Sequence, residues 1–438
     1  MTHRVPKGDQ PARLRNNPGS VALTLALLLA ASQSMAAGRE AAPPPRTRHF
    51  PESGITFDSD FEGARLNGCT QRGPAEFDAL IRAEDEPINN SAWYAFRVSA
   101  KTAQRVTVHL RYQGGSHRYQ PWTSSDGLHW ERLPAGACRT AEKSATLSID
   151  AGPKPVWISA QEQIGLRELE AWIDRLAERP GIEASHVGRS VEGRAIRKLT
   201  IGAETPRYGV FIIGRQHPPE VTGSLALMAF VETIAGPGEL AEEFRRACQT
   251  TVVPLVNPDG VAAGNWRHNM HGYDLNRDWG PFRQPETSAV RDEILKHQGP
   301  DKPRLVFFLD FHSTHNDVFY IEGGKEPVWP ADFADRWLDA VSERLPDYKL
   351  RRETAAGSRP LSKMWVRKTL RIPAVIYEVG DNTDRAQIRR VAQAAAEEMM
   401  RLALEEIERE SPPPAPRELR KVPAAATSQT LFQLLGAS

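Results

Sequence analysis

Two segments of the sequence carry side chains that could together hold a metal ion. His217 and Glu220 lie three residues apart, just after the apolar run 208–214. His312 directly follows a second, largely apolar run, 304–311. Two histidines and one carboxylate, with a fourth position left to water, are the composition of a catalytic zinc site. The sequence therefore predicts one zinc ion per chain and hydrolysis by a zinc-activated water.

Polar residues between these segments could bind a substrate. Arg267, Asn276 and Arg277 lie in a long stretch rich in side-chain donors, which follows the turn 257–260. Arginine is suited to holding a carboxylate through two hydrogen bonds and to stabilising an oxyanion. An isolated arginine in such a loop would more often form an ordinary surface ion pair. A functional role is therefore expected only if the other parts of a site lie nearby.

Glu378 is an acidic residue near the end of a strongly apolar segment, 372–377. A carboxylate in such a place costs free energy unless it is paired or functional. As a general base it would take a proton from the attacking water. Taken alone, Glu378 could equally be a salt-bridged residue at a strand end, and a single His-x-x-Glu is also common. The zinc-site hypothesis therefore depends on all of these features occurring in one chain.

An alternation of strands and helices after residue 161 would bring these segments together. Strands are predicted at 196–201, 208–213, 250–256, 304–311 and 374–378, and helices at 166–176, 222–234, 286–296, 330–344 and 385–408. Every residue of the run 305–309 is apolar, as in a strand buried on both faces of a sheet. The fold class predicted for 161–409 is α/β, with a mixed, largely parallel central sheet flanked by helices. Such open sheets bind ligands beyond the carboxyl ends of their strands, where His217 and His312 both fall.

The segment 50–159 has a different pattern, with short runs of alternating apolar and polar residues. Such runs occur at 93–98, 105–112 and 145–149. Clusters of Gly, Pro, Asn and Asp separate them, which is typical of a small, antiparallel all-β sandwich. The aromatic residues Tyr119, Trp122 and Trp130 are expected to belong to its core rather than to a sugar-binding platform.

The two ends of the chain differ from the rest in composition. Two arginines, the apolar run 21–31 and small residues at 34 and 36 stand in the order of a secretory signal peptide. We predict a signal peptide over 1–36, cleaved there or one residue later, and a periplasmic or secreted protein. An uncleaved anchor is the alternative, although the run is shorter than the ~20 residues that span a bilayer. A proline run opens the Pro/Ala-rich tail 410–438.

The charge balance argues against a nucleic-acid partner. The formal net charge is +1, and the basic residues are scattered among acids. Binding to phosphates needs a clustered basic surplus. No segment after the signal peptide is apolar enough to predict a membrane span.

The sequence contains three cysteines. Cys69 and Cys138 both lie in the β-rich segment, so in an oxidising compartment they are expected to form a disulfide. Cys248 is then left over and is interpreted as a buried residue at the end of a helix.

The order of these motifs resembles that of the zinc metallocarboxypeptidases of the funnelin type. The resemblance implies that His217, Glu220 and His312 bind zinc. It also implies that Asp274, two positions before the asparagine of the Asn-Arg pair, orients His217 by a hydrogen bond. The expected activity is removal of the C-terminal residue from a peptide.

The same resemblance implies the roles of the remaining site residues. Arg267 would stabilise the oxyanion, and Glu378 would be the general base. Asn276 and Arg277 would grip the free α-carboxylate at the C-terminus of the peptide substrate. The family's capping tyrosine has no counterpart in the stretch 356–367, so the way in which a substrate would be covered is open.

Within the family, the chain is most similar to the cytosolic-carboxypeptidase-like branch. The similar stretches are 217–220, 257–261, 264–267 and 274–279. That branch carries a small β-sandwich before its catalytic domain, which agrees with the pattern of 50–159. A signal peptide departs from the cytosolic members and fits a periplasmic or secreted relative.

Substrate specificity and two rival functions remain open from the sequence. Basic residues fall where the family lines its side-chain pocket: Arg359, Lys363, Arg367 and Arg371. Such a lining would favour C-terminal Glu or Asp, but a solvated basic face and diaminopimelate-containing cell-wall peptides are alternatives. One rival is a zinc amidohydrolase of the same fold that acts on a murein peptide or an N-acyl amino acid. The other is a non-enzymatic, cell-wall-binding protein, against which the complete set of ligands and base argues.

Overall fold

The described part of the chain consists of two regions that differ in architecture. A computed structural model describes residues 46–141, 143–299, 301–321, 327–354 and 359–409. The predicted signal peptide and the C-terminal tail lie outside these ranges. Two sheets form an all-β region, and a third, eight-stranded mixed sheet with helices follows it. The predicted fold class is thereby confirmed.

The all-β region is a sandwich of two sheets that share one core. Its strands are β1 (Thr47–Phe50), β2 (Ile55–Asp58), β3 (Gly68–Gly73), β4 (Glu76–Arg82), β5 (Ala95–Ala100), β6 (Gln104–Gln113), β7 (Trp122–Ser124), β8 (Glu131–Arg132), β9 (Cys138–Ala141), β10 (Ser144–Ala151) and β11 (Val156–Ser159). One sheet has the order β1-β2-β5-β11-β7-β8 and the other β3-β4-β6-β10-β9. All neighbouring strands are antiparallel except β4 and β6, which are parallel.

The alternation of apolar and polar residues along the strands produces the sandwich core. Alternate residues of β6, namely Val106, Val108 and Leu110, are completely buried, because every second side chain of a strand points to the same face. Tyr119 and Trp122 are also buried, whereas Trp130 is half-buried and contacts the ring of Trp157. The aromatic residues therefore contribute to packing: Tyr119 and Trp122 lie in the core of the sandwich, and Trp130 lies at the margin of that core.

The predicted disulfide between Cys69 and Cys138 is wrong. Cys69 lies in β3 and Cys138 in β9, the two opposite edges of the five-stranded sheet. Neighbouring strands lie about 4.8 Å apart, so these residues are far beyond the roughly 4.4–6.8 Å between Cα atoms that a disulfide spans. All three cysteines are free thiols. Cys248 is buried where a helix meets a strand, which agrees with its interpretation as a helix-end residue.

His117 is expected to make the sandwich sensitive to acid. Its Nδ1 lies 2.8 Å from the Tyr112 hydroxyl, and burial lowers the pKa of His117 to about 4. An unfolded histidine has a pKa of about 6.5, so between these values the unfolded chain binds a proton that the folded chain does not. The free energy of unfolding should therefore decrease by about 1–3 kcal/mol as the pH falls through this window.

Urea denaturation at several pH values tests this prediction. The decrease in unfolding free energy from about pH 6.5 to about pH 4 should be smaller in His117→Asn, because asparagine does not titrate. His49→Asn is the control, since His49 of β1 is exposed and its Nδ1 lies 3.1 Å from the Thr56 hydroxyl on the adjacent strand β2. An equal pH dependence in wild type and His117→Asn would contradict the prediction.

The second region is built on the eight-stranded sheet. Its strands are β12 (Ile182–Arg189), β13 (Ala195–Gly202), β14 (Tyr208–Gly214), β15 (Cys248–Val253), β16 (Arg304–Thr314), β17 (Val318–Ile321), β18 (Arg352–Thr354) and β19 (Ala374–Gly380). They lie in the order β12-β13-β15-β14-β16-β19-β17-β18, and the central four are parallel. The predicted strand 250–256 ends at Val253, because Pro254 has no N–H to donate.

Helices cover both faces of this sheet. They are α1 (Leu166–Ala177), α2 (Val221–Ile234), α3 (Glu239–Ala247), α4 (Pro258–Ala262), α5 (Pro285–Lys296), α6 (Phe333–Arg344), α7 (Ser362–Leu370) and α8 (Arg385–Arg409). Val210 and Ile212 of β14 pack on the side of α2 and α8, whereas Phe211 and Ile213 pack on the side of α5 and α7. No single helix in the described ranges is long and apolar enough to cross a membrane; α2 and α3, bent by 87°, meet these criteria only as a pair.

Candidate metal centre and active site

The three residues predicted to bind metal meet at the carboxyl ends of β14 and β16. His217 follows β14 in a loop, and His312 lies near the end of β16. Glu220 is the residue that immediately precedes α2. One ligand atom from each lies within 4.8 Å of the others, and all three residues are buried. The fold therefore brings together residues from two segments that are almost a hundred positions apart in the sequence.

Glu220 lies between the two histidines. Its Oε1 is 2.8 Å from Nδ1 of His217, and its Oε2 is 2.8 Å from Nδ1 of His312. Burial opposes ionisation of Glu220, but the two histidines outweigh burial and hold its pKa well below the usual range. Two imidazole nitrogens and a carboxylate that converge on one point are a donor set that Zn²⁺ prefers. The residues present therefore fit the ion that the sequence implies.

Asp274 holds the outer side of the His217 ring. Its Oδ1 lies 2.9 Å from Nε2 of His217, and its Oδ2 accepts a hydrogen bond from Nε of Arg267 at 2.7 Å. Burial raises the pKa of Asp274, but His217 and Arg267 outweigh it and hold the pKa far below the usual range. This contact leaves Nδ1 of His217 facing Glu220. A carboxylate in this position fixes both the tautomer and the orientation of a metal-binding histidine.

Asp310 makes the corresponding contact to His312, which sequence reasoning missed. Its Oδ2 lies 3.0 Å from Nε2 of His312 and accepts hydrogen bonds from Gln216, at 2.7 Å, and from the Ser362 hydroxyl. Burial opposes protonation of His312, but Asp310 and Glu220 outweigh it and raise the pKa of His312 well above its usual value. The signal was present, because Asp310 interrupts an apolar strand two residues before His312 and so shares its face.

Asn276 and Arg277 lie in the short 3₁₀ turn Leu275–Arg277. Asn276 is buried; its Oδ1 accepts the Ser362 amide at the start of α7, and its Nδ2 lies 3.3 Å from Nε2 of His312. Arg277 is partly exposed. Burial lowers the pKa of Arg277, and so do the nearby cations Arg267 and Arg359, against Asp274 and Glu378. Several guanidinium groups thus share the region beside the histidine cluster.

Glu378 lies in β19, directly opposite His312 of the adjacent strand β16. Part of the residue is accessible, but its Oε2 is buried and has no hydrogen-bond partner in the described part of the chain. Burial raises the pKa of Glu378 to about 7; the carboxylates of Glu220 and Asp310 act in the same direction, and the histidines oppose them. A carboxyl group that titrates near neutrality is suited to accepting and donating a proton.

The predicted basic lining is only partly present. Lys363 is fully buried, and its Nζ donates to the carbonyls of Tyr320 and Ile321 at 3.2 Å each, so it presents no charge to a substrate. Arg371 lies at the end of α7 in the left-handed conformation. Arg359 is exposed and influences the pKa of Arg277. The expectation of a pocket lined by all four basic residues is wrong for Lys363, because tertiary packing buries α7 against the sheet.

Gly223 allows α2 to approach the strand that carries His312. A Cβ atom at Gly223 would lie 2.5 Å from the carbonyl oxygen of His312 and 2.8 Å from its carbonyl carbon. Backbone atoms cannot rotate away, so Gly223→Ala must displace α2 or β16. We expect a loss of about 1–3 kcal/mol of stability and weaker zinc binding, because Glu220 immediately precedes α2 and His312 lies in β16.

Urea denaturation and competition with a coloured chelator would measure these two effects. Gly152→Ala is the matched control, because a Cβ at Gly152 would meet no atom within 4 Å. The control should change neither property. Wild-type zinc affinity in Gly223→Ala would contradict the prediction.

Comparison with known protein families agrees with this geometry. A family model described as zinc carboxypeptidase matches residues 169–401, more than half of the 438 residues. A model described as cytosolic carboxypeptidase N-terminal domain matches residues 57–160. Cytosolic carboxypeptidase 6 of Mus musculus is 27% identical over 288 residues, which cover 59% of this chain and 53% of the relative. Cytosolic carboxypeptidase 2 of Danio rerio is 30% identical over 365 residues, which cover 72% and 50%. The chain thus spans about half the length of these curated relatives.

Solved structures share the fold. A metallo-carboxypeptidase from Burkholderia cenocepacia has a TM-score of 0.67 at 20% identity, covering 81% of this chain and 99% of that chain. A metallo-carboxypeptidase from Pseudomonas aeruginosa, in complex with (2-guanidinoethylmercapto)succinic acid, has a TM-score of 0.67 at 21% identity and covers 80% and 99%. These likenesses establish the architecture, and the family model covers the segment that carries the histidine cluster. The chain belongs to the zinc carboxypeptidase family.

Proposed function

We propose that this chain is a zinc-dependent carboxypeptidase that hydrolyses the C-terminal residue of peptides. The proposal is carried by the convergence of the buried cluster His217, Glu220 and His312 with the carboxylate of Glu378. When bound there, zinc polarises the scissile carbonyl, increases the acidity of water and draws the pKa of Glu378 below the value that burial alone produces. Membership of the family supports the same activity.

Glu378 is proposed as the general base. Its buried Oε2 has no hydrogen-bond partner among the described residues, so it is available to the attacking water. It takes the proton from that water as the new C–O bond forms, and it delivers the proton to the leaving nitrogen as the C–N bond breaks. Burial and the neighbouring carboxylates keep the proton-accepting and proton-donating forms close in free energy.

The arginine residues are proposed to bind the negative charges of the substrate and the transition state. Arg277 is partly exposed and is suited to holding the terminal α-carboxylate bidentately, with Asn276 in the same turn. Arg267 is held by Asp274 beside His217 and would stabilise the oxyanion that develops on the scissile carbonyl. A substrate with a free C-terminal carboxylate is therefore favoured over its amide.

The decisive test is release of amino acids from a mixed peptide library. Wild type, but not a chelator-treated sample, should release single C-terminal residues, and restoring zinc should restore release. Peptides with an amidated C-terminus should be resistant, because they lack the carboxylate that Arg277 would hold. Hydrolysis of N-acyl amino acids or murein peptides, without release from any peptide in the library, would favour the amidohydrolase alternative.

Replacing Arg277 tests the assignment of the carboxylate-binding residue. Arg277→Met keeps the length of the aliphatic stem and removes the charge. We expect KM for free-carboxylate peptides to rise by about 10- to 100-fold, as for loss of a charge-assisted hydrogen bond of about 1.5–3 kcal/mol. Arg283→Met is the control, because Arg283 lies on the same loop but is exposed and donates a hydrogen bond to the Tyr273 hydroxyl. An unchanged KM in Arg277→Met would move the carboxylate site elsewhere.

We also propose that the protein is exported to the periplasm or secreted. The support is the signal-like order of basic, apolar and small residues over 1–36, although the curated relatives are named cytosolic carboxypeptidases. Cell fractionation and N-terminal sequencing of the protein expressed with its complete N-terminus provide the test. A mature N-terminus at residue 37 or 38 in the exported fraction is expected, whereas an uncleaved cytosolic protein would refute export.

A further inference from the structure

The side chain of Glu84, from the all-β region, reaches the segment that carries Arg267. Glu84 follows β4, and its carboxylate accepts three consecutive backbone N–H groups. Oε2 accepts the amide of Trp266 at 2.7 Å, while Oε1 accepts the amides of Arg267 at 2.8 Å and His268 at 2.9 Å. Only 10% of the Glu84 side chain is exposed. Hydrogen bonds from backbone amides to a poorly hydrated carboxylate are charge-assisted and therefore strong.

The residues on either side of these bonds are also fixed to the sandwich. The ring of Trp266 is fully buried in the sandwich core, and its Nε1 donates to the carbonyl of Trp93 at 3.0 Å. Arg65 donates to the side chain of Asn265 at 3.2 Å, and its guanidinium lies 3.5 Å from Glu84. The backbone that precedes Arg267 therefore has little freedom to move independently of the sandwich.

The side chain of Arg267 continues from this anchor toward the metal-binding cluster. Its Nε donates to Asp274 at 2.7 Å, and Asp274 in turn contacts His217 at 2.9 Å. Two carboxylates from different regions thus determine where the guanidinium lies. Glu84 holds the backbone end of Arg267, and Asp274 holds the far end.

We propose that Glu84 is a positioning residue of the active site, which acts through Arg267 and makes the sandwich a part of the catalytic architecture. The inference rests on the proposed function of Arg267 in stabilising the oxyanion. Glu84 contacts the backbone amides of 266–268 and the guanidinium of Arg65. A displacement of catalytic groups by about 1 Å can reduce a rate by about 100-fold, so loss of this anchor acts on turnover rather than on substrate affinity.

The variant Glu84→Gln separates positioning from a merely structural role. Glutamine has the same shape, but its amide nitrogen cannot accept a hydrogen bond, so at least one of the three amides loses its partner. We expect kcat to fall by about tenfold or more, with KM for free-carboxylate peptides changed less than about twofold because Arg277 is untouched.

A double-mutant cycle identifies the residue through which Glu84 acts. In the background of Arg267→Ala, Glu84→Gln should cause no further decrease in kcat, because the group that Glu84 positions is already gone. Effects that multiply in the double variant would overturn the proposal and leave Glu84 with a general structural role. Asp85→Asn is the matched control, since it removes the same charge one residue along, where the carboxylate lies 3.0 Å from Nδ1 of the His268 ring rather than on the backbone amides. The control should retain wild-type kcat.

Hydrogen exchange tests the anchor without any need for activity. In Glu84→Gln the amides of 266–268 should exchange faster, while those of β16 keep their protection. If wild type released no residue from any peptide, the proposed function would fail, and the exchange rates alone would decide whether Glu84 holds this segment. Unchanged exchange at 266–268, or a loss of protection throughout the chain, would overturn the positioning role. If Glu84→Gln does not fold, Glu84→Asp, which keeps both oxygens, should show an intermediate kcat.

Discussion

Replacing Glu378 with glutamine is expected to reduce kcat for peptide hydrolysis by about 10²- to 10⁴-fold, while zinc remains bound. Glutamine preserves the volume of the side chain but cannot accept the proton of the attacking water. Glu378 lies outside the cluster formed by His217, Glu220 and His312, so the metal-binding residues keep their positions. The variant therefore separates loss of proton transfer from loss of the metal.

Steady-state kinetics and zinc stoichiometry on the same preparation check this prediction. Glu353→Gln, in the edge strand β18 of the same sheet, is the control and should retain wild-type kcat. The wild-type kcat/KM should decrease in the acidic range, because protonation removes the base. The midpoint should lie below the pKa of about 7 that burial gives Glu378, since bound zinc lowers that pKa. More than about a tenth of the wild-type kcat in Glu378→Gln would assign the base to another residue.

Removal of one metal ligand should have a still broader effect. His312→Ala is expected to abolish stoichiometric zinc binding and, with it, peptide hydrolysis. The substitution removes one of three protein ligands and leaves the carboxylates of Glu220 and Asp310 without the imidazole that both contact. Since a buried carboxylate that loses its partner costs about 3–5 kcal/mol, stability should also decrease.

Zinc content after dialysis, together with thermal unfolding, measures both consequences. His315→Ala is the control, because His315 lies three residues further along the same segment and is exposed. The control should keep one zinc per chain, and added zinc should raise the midpoint of thermal unfolding of wild type and control but not of His312→Ala. Stoichiometric zinc in His312→Ala would show that the ion is held by other residues.

Local patterns were sufficient to identify the elements that carry the site. The apolar runs that became β14 and β16 are buried on both faces of the sheet, and the potential ligands stand directly after or at the end of those runs. Strand ends lie at the edge of a parallel sheet, where side chains from different strands meet. For that reason His217, Glu220 and His312 could be predicted to converge without knowledge of the strand order.

Contacts between distant residues could not be predicted in this way. Their shared segment predicts a disulfide between Cys69 and Cys138, but the strand order puts them at opposite edges of one sheet. The basic residue Lys363 was expected to face a substrate, and packing of α7 buries it instead. The spacing of residues along the chain determines which face of a helix or strand a side chain occupies. It does not determine which other helix or strand packs against that face.

The sequence by itself determined the class of the fold, the metal-binding motifs and their order, because each depends on residues that are close along the chain. Only the tertiary structure decided which groups hold these motifs in place. Asp310 contacts His312, and Glu84 accepts the backbone amide of Arg267. Which residues these two carboxylates meet depends on the strand order and on the docking of the sandwich. Those arrangements arise from long-range packing of apolar faces, which local periodicity does not encode.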